Sequence, residues 1–173
     1  MSSLAFLTVL SLLALAATPP SDAASAAVAP PPVRAPRGPA NVAQFLSAIN
    51  AARADVGVPP LSWNATVAQR AKLHVTWLRA SAGCDLSKKE RDPTRFDEAM
   101  TFFRGYNGRP TPADAVATWL SERPWYNRGA DTCAAGQECG NYKLVVAPDF
   151  RQLGCALVAC PSGGAVAACG YRG

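Results

Sequence analysis

"RQLGCALVACPSGGAVAACGY" (residues 151–171) holds two short runs of small and β-branched residues on either side of Pro161-Ser162-Gly163-Gly164. Runs of that length parted by such a cluster make an antiparallel hairpin. If the hairpin turns about Ser162, Cys155 and Cys169 lie side by side on adjacent strands, within disulfide reach. Cys160 is five residues from Cys155, an odd offset, so its side chain leaves the opposite face of the strand. It needs a partner elsewhere, and Cys84 is free for it, leaving Cys133 and Cys139 to close a small local loop. This pairing, chosen on geometry, is one of the connectivities open to six cysteines. Directly upstream, "NYKLVVA" (residues 141–147) is partly β-branched and ends at Pro148-Asp149, which predicts a third consecutive antiparallel strand.

The first half of the domain changes period. In "NVAQFLSAINAARADVG" Val42, Phe45, Leu46 and Ile49 recur at three and four, which predicts a helix over about 41–55 that Gly57 ends. "VPPLSW" is extended, and from Asn64 a second helical stripe carries Val67, Ala68, Ala71, Val75 and Leu78 as far as Gly83, just before Cys84. In "TPADAVATWLSE" Thr111 caps, Pro112 suits the first turn and Asp114 completes a capping box, with Val116, Trp119 and Leu120 on the buried face. Glu122, three residues past Trp119, projects near that apolar side as a candidate cleft carboxylate or swings out to water. Helices first and a meander last, stapled together, make an α+β layered domain.

The N-terminus is of another kind. Residues 4–17 form an apolar and small-residue run too short to span a membrane comfortably, so residues 1–23 read as a secretory signal with cleavage between 23 and 27. "APPPVRAPRGPA" follows, too rich in proline for helix or sheet interior, and residues 24–40 read as an extended linker. Residues 41–173 remain as one domain. An even set of six cysteines after an export signal implies three disulfides. The chain carries a formal charge of +5, which in a secreted protein points to anionic polysaccharide or a membrane surface and away from nucleic acid. "KKERDPTR" (88–95) is a basic cluster interrupted by Glu90 and Asp92, hence a patch for such a partner or a solvated loop. Asn64-Ala65-Thr66 is a glycosylation sequon.

The chemistry is sparse. His74 is the one histidine of the chain, on the second helix, where it reads as an ordinary surface or partly buried imidazole. With the cysteines oxidised and no serine in a G-x-S-x-G elbow, nucleophilic hydrolysis is disfavoured. One imidazole and disulfide-bound sulfur do not make a zinc site, so neither metal nor cofactor is expected.

Taken in order, "FLSAINAARADVGVPPLSWN", the Cys84 region, "TWLSERPWYN", "CGNYKLVV", "LGCALVAC" and "AACGY" resemble the plant pathogenesis-related group-one proteins, members of the superfamily of cysteine-rich secretory proteins and antigen five, over about residues 41–171. The resemblance implies a CAP (SCP) domain at 41–173, a three-layer α-β-α sandwich with a small antiparallel sheet, and the disulfide pairing above. It also implies a cleft lined by two histidines and two glutamates able to hold a divalent metal. Glu122 in "WLSERPWY" and Glu98 in "FDEAM" take the glutamate places. The strand usually reading Cys-Gly-His-Tyr-Thr-Gln-Val-Val-Trp reads "CGNYKLVVA", with Asn141 for the histidine, and Lys88 stands in the other histidine's place. An amide is a poor ligand for a borderline metal, and an ammonium brings its own charge. Lys88 is therefore expected to neutralise Glu98 or Glu122 in place of a cation.

The function the resemblance implies is that of a monomeric, secreted, non-enzymatic defence protein of the apoplast, or less readily the vacuole. Such a protein binds sterol or another lipid and restrains fungal or oomycete growth. Phe102, Phe103 and Tyr106 in "MTFFRGYNG" (100–108) are the candidate lipid contacts, or else an aromatic cluster packing under a long loop. The competing reading is a divergent extracellular signalling or scaffold protein for a receptor or cell-wall partner, its cleft no longer used.

Overall fold

The computed structural model describes residues 40–93, 96 and 98–173; the signal segment and the linker before Ala40 lie outside the described residues. Helix α1 (Ala40–Ala54) buries Phe45, Leu46 and Ile49 of the expected stripe together with Ala52, leaves Val42 half-buried, and ends where Gly57 takes φ +69° and donates to Ala54 O. After the short strand β1 (Ser62–Trp63), Asn64 Oδ1 accepts the Thr66 and Val67 amides and starts α2 (Ala65–Ser81). Val67, Ala71, Val75 and Leu78 are its buried face. A 3₁₀ turn (Leu86–Arg91) leads to strand β2 (Ala99–Gly105). Helix α3 (Pro112–Leu120) carries the capping box of Thr111 and Asp114 and buries Trp119 completely, its ring stacked on Phe45 at 6.3 Å. Strands β3 (Tyr126–Asn127) and β4 (Thr132–Cys133) form a small hairpin, followed by α4 (Gly140–Val146), β5 (Gln152–Ala159) and β6 (Ala165–Arg172).

The main sheet has the order β1-β5-β6-β2, with β5, β6 and β2 antiparallel and β1 added parallel to β5. Strand β6 is buried along Ala165–Tyr171 because both faces are covered. Val166 and Ala168 pack under Val75 and Leu78 of α2, while Ala167, Cys169 and Tyr171 face the layer of α1, α3 and α4. The result is the α-β-α sandwich. Helix α2 seats closely because the strands beneath it carry glycine: a Cβ on Gly154 would stand 2.1 Å from Ala68 N, and one on Gly170 would stand 2.8 Å from Val67 Cγ1. Cys155 lies opposite Cys169 in the register and the two are bonded, while Cys160 reaches Cys84 from the other face of the sheet and Cys133 closes on Cys139.

Two expectations need correction. "NYKLVVA" is helical in α4, with Tyr142, Val145 and Val146 buried at spacings of three and four, and not a strand. The third antiparallel strand is β2, "AMTFFRG", which pairs with β6 from Ala99 opposite Tyr171 to Gly105 opposite Ala165. Two β-branched valines favour a strand locally, but α4 is held from outside. Buried Arg53 on α1 donates to Val145 O and Ala147 O at 2.9 Å, as well as to Pro59 O and Phe150 O, tying off the carbonyl end of the helix. Desolvation pulls the Arg53 guanidinium below its usual pKa.

Candidate functional site

Strand β2 is an edge strand, so the backbone groups on its outer side need partners. At Phe102 they come from side chains: Trp119 Nε1 donates to Phe102 O at 2.8 Å, and the Phe102 amide donates to Asn141 Oδ1 at 3.3 Å. Asn141 turns its other end to Glu122, Nδ2 to Oε1 at 2.6 Å, and Glu122 Oε2 accepts the Tyr142 amide at 3.0 Å. Glu122 therefore sits at the start of α4 as an acidic cap, with both oxygens used. Above this edge opens a cleft of about 660 Å³, walled by His74 of α2, Met100 and Phe102 of β2, the 3₁₀ turn Leu86–Arg91 and the first turn of α4. Phe96 and Leu144 add apolar wall, and Lys89, Glu90 and Glu138 add charge.

Glu98 lines this cleft and is answered by Arg70, whose Nη1 lies 2.5 Å from Glu98 Oε1 and whose guanidinium rests 4.8 Å over the Phe96 ring. Glu98 Oε2 is buried with no hydrogen-bond donor among the described residues, so the carboxylate depends on that one ion pair. One helical turn beyond Arg70, His74 is buried with Asp92, Nδ1 to Oδ2 at 2.6 Å, and its ring is 5.0 Å from Phe102.

The structure brings Glu98 and Asn141 to the cleft and places Glu122 behind Asn141. It does not bring Lys88. That ammonium lies 3.9 Å from Asp85 on the 3₁₀ turn, and the charge that meets Glu98 is Arg70. The three aromatic candidates also part company, because neighbours on a strand face opposite ways. Phe102 enters the cleft, Phe103 joins the core, and Tyr106 is 73% exposed beneath the Arg104 guanidinium. Asn64 caps α2 and donates Nδ2 to Gln152 Oε1 at 2.7 Å, so in the folded chain its amide is engaged. Sequence reasoning passed over Arg70 and read His74 as an ordinary residue. The signal was their i, i+4 spacing, which puts both on one side of α2.

Nor do the residues fit a bound divalent metal. Glu122 has spent both oxygens and Asn141 both ends of its amide, and Glu98 already faces a guanidinium. Among the described residues no three His, Cys, Asp or Glu side chains converge to hold an ion.

A match to the cysteine-rich secretory protein family covers residues 46–171. Pathogenesis-related protein 1B of Nicotiana tabacum is 39% identical over 127 residues, 73% of this chain and 71% of that protein. A pathogenesis-related protein of the same type from Sambucus nigra is 35% identical over 73% of this chain and 72% of its own. Among solved structures, venom allergen-like protein 4 of Schistosoma mansoni superposes with a TM-score of 0.56 at 25% identity, over 74% of this chain and 84% of that one. NaASP2, solved with Zn2+, superposes at 0.54 and 17% identity over 74% and 76% of the two chains, a likeness in fold alone. With its stapled sandwich, its disulfide pairing and its altered cleft, this chain belongs to the cysteine-rich secretory protein (CAP) family, among its pathogenesis-related group-one members.

Proposed function

We propose that the protein is a secreted, non-enzymatic defence protein of the apoplast whose cleft takes a sterol or a similar lipid. The observation that carries this reading is the composition of the cleft. Phe96, Met100, Phe102 and Leu144 supply an apolar wall for a hydrocarbon body, and Lys89, Glu90 and Glu138 supply polar groups for a single hydroxyl or headgroup. Among the described residues that line it there is no serine, threonine or cysteine. The names of the tobacco and elder relatives support a role in the response to pathogens.

The test is binding of a radiolabelled sterol to the purified, oxidised protein against unlabelled competitor. Saturable binding weakened about tenfold or more by Phe102→Asp is the expected result, since a charge would then stand in the apolar wall. Absence of binding by the folded protein would overturn the lipid reading. It would favour an extracellular signalling or scaffold role, which the hydrogen-bonded closure of Asn141 on Glu122 supports.

A further inference from the structure

We infer that Arg70 serves in this cleft as the built-in cation, supplying to Glu98 the positive charge that a divalent ion would otherwise bring, and that the cleft works without metal. Three independent observations converge. The guanidinium is within 2.5 Å of Glu98 and lies over the Phe96 ring at 4.8 Å, so a ring as well as a charge bears on its position. The other oxygen of Glu98 is buried and has no donor among the described residues, so Arg70 is the partner on which that carboxylate relies. The second carboxylate, Glu122 behind Asn141, has a donor on each of its two oxygens, the Asn141 side chain and the Tyr142 amide.

The chemistry of a metal site runs the other way. A zinc ion needs several deprotonated or neutral ligands converging at about 2 Å, with their outer hydrogen bonds orienting them toward the metal. Here the outer hydrogen bonds close the ligands on one another, and a guanidinium that cannot lose its proton stands on the carboxylate that is left. Zinc would have to displace Arg70 from Glu98 and free Glu122 from α4 at once.

The inference stands apart from the lipid reading, because a metal titration reads the cleft whether or not a sterol enters it. The experiment is calorimetric and thermal titration of the purified, oxidised protein with zinc and with calcium, in parallel with Arg70→Gln and Arg70→Lys. The parent protein is expected to bind neither ion stoichiometrically and to keep its Tm. Arg70→Gln leaves Glu98 without its cation while Glu122 stays closed, so it is expected to lower Tm and still to bind no zinc, and Glu98→Gln in the same background, which removes the unpaired charge, is expected to recover part of that Tm. Arg70→Lys keeps the charge and is expected to stay indifferent to zinc. Two results would overturn the inference: one-to-one zinc binding by the parent that Glu98→Gln removes, or an Arg70→Gln protein with the Tm of the parent. The parent titration needs no variant, so a poorly folding substitution does not leave the matter open.

Discussion

Two half-buried carboxylates, Glu98 in the cleft wall and Glu122 behind Asn141, are satisfied by different means. On the wall of α2 and β2, Glu98 is met among the described residues by one guanidinium, a charge against a charge, with no donor there for its second oxygen. Behind Asn141, Glu122 is met by two N–H groups, one from a side chain and one from the backbone at the start of α4. The first arrangement gives position through Coulomb attraction, which salt weakens where Arg70 reaches water with 38% of its side chain exposed. The second gives position through directed hydrogen bonds, which salt barely touches. Fixed donors can hold a carboxylate as firmly as a counter-ion does, and they leave it unable to turn toward anything else.

The sharpest way to break the contrast is to remove Glu122. Glu122→Ala strands the Asn141 amide and the Tyr142 N–H together, and is expected to cost about 3 kcal/mol in urea unfolding. It should also speed amide exchange at Tyr142 while exchange in α2 stays as it was. Arg70→Met removes the one partner of Glu98 among the described residues and is expected to cost about 2 kcal/mol, below the range for a fully buried pair because Arg70 is partly exposed. Its deficit relative to the parent should shrink in about 1 M salt while that of Glu122→Ala does not. A deficit that fails to respond to salt would mean that Arg70 acts by packing on Phe96 alone.

Smaller effects sharpen the comparison between a charged cap and a neutral one. Asn64 caps α2 as Glu122 caps α4, so Asn64→Ala is expected to lower stability by about 1 kcal/mol and Asn64→Asp, which keeps the accepting oxygen, to stay near the parent. The least effect belongs to the exposed network beside α4. Hydrogen bonds from Lys143 and then Tyr126 hold the Asp131 carboxyl below the ordinary range, so its contribution is whole above about pH 4 and is lost as acid approaches the lowered value. Burial, then the bond to Asp131, pushes the Tyr126 phenol up to about 12, so its contribution is whole below about pH 10 and fades as pH climbs toward 12. A urea midpoint followed against pH should be flatter at both ends in Asp131→Asn than in the parent.

What was legible in the chain is what local chemistry decides. The apolar stripes of α1 and α2, the capping box of α3 and the hairpin register that sets Cys155 beside Cys169 all follow from spacing within one element or one turn. Helix α4 was not legible, because what makes it a helix is remote: Glu122 at its amide end, Arg53 at its carbonyl end and a disulfide at Cys139. The cleft was half legible for the same reason. Glu98, Glu122 and Asn141 can be placed by resemblance to relatives, but which cation meets Glu98 depends on how α2 lies over the sheet. That seat is set by glycines more than eighty residues downstream.

Arg53 draws its four acceptors from Pro59, Val145, Ala147 and Phe150, segments that meet only once α4 has docked. A half-docked α4 would leave the guanidinium with Pro59 O and without Val145 O and Ala147 O. Intermediate positions of that helix are thereby depopulated, and the docking is cooperative with the core instead of a hinge upon it. A lysine at this position keeps the charge but has a single point of attachment, so it would loosen this all-or-none coupling while leaving the net charge of the protein unchanged.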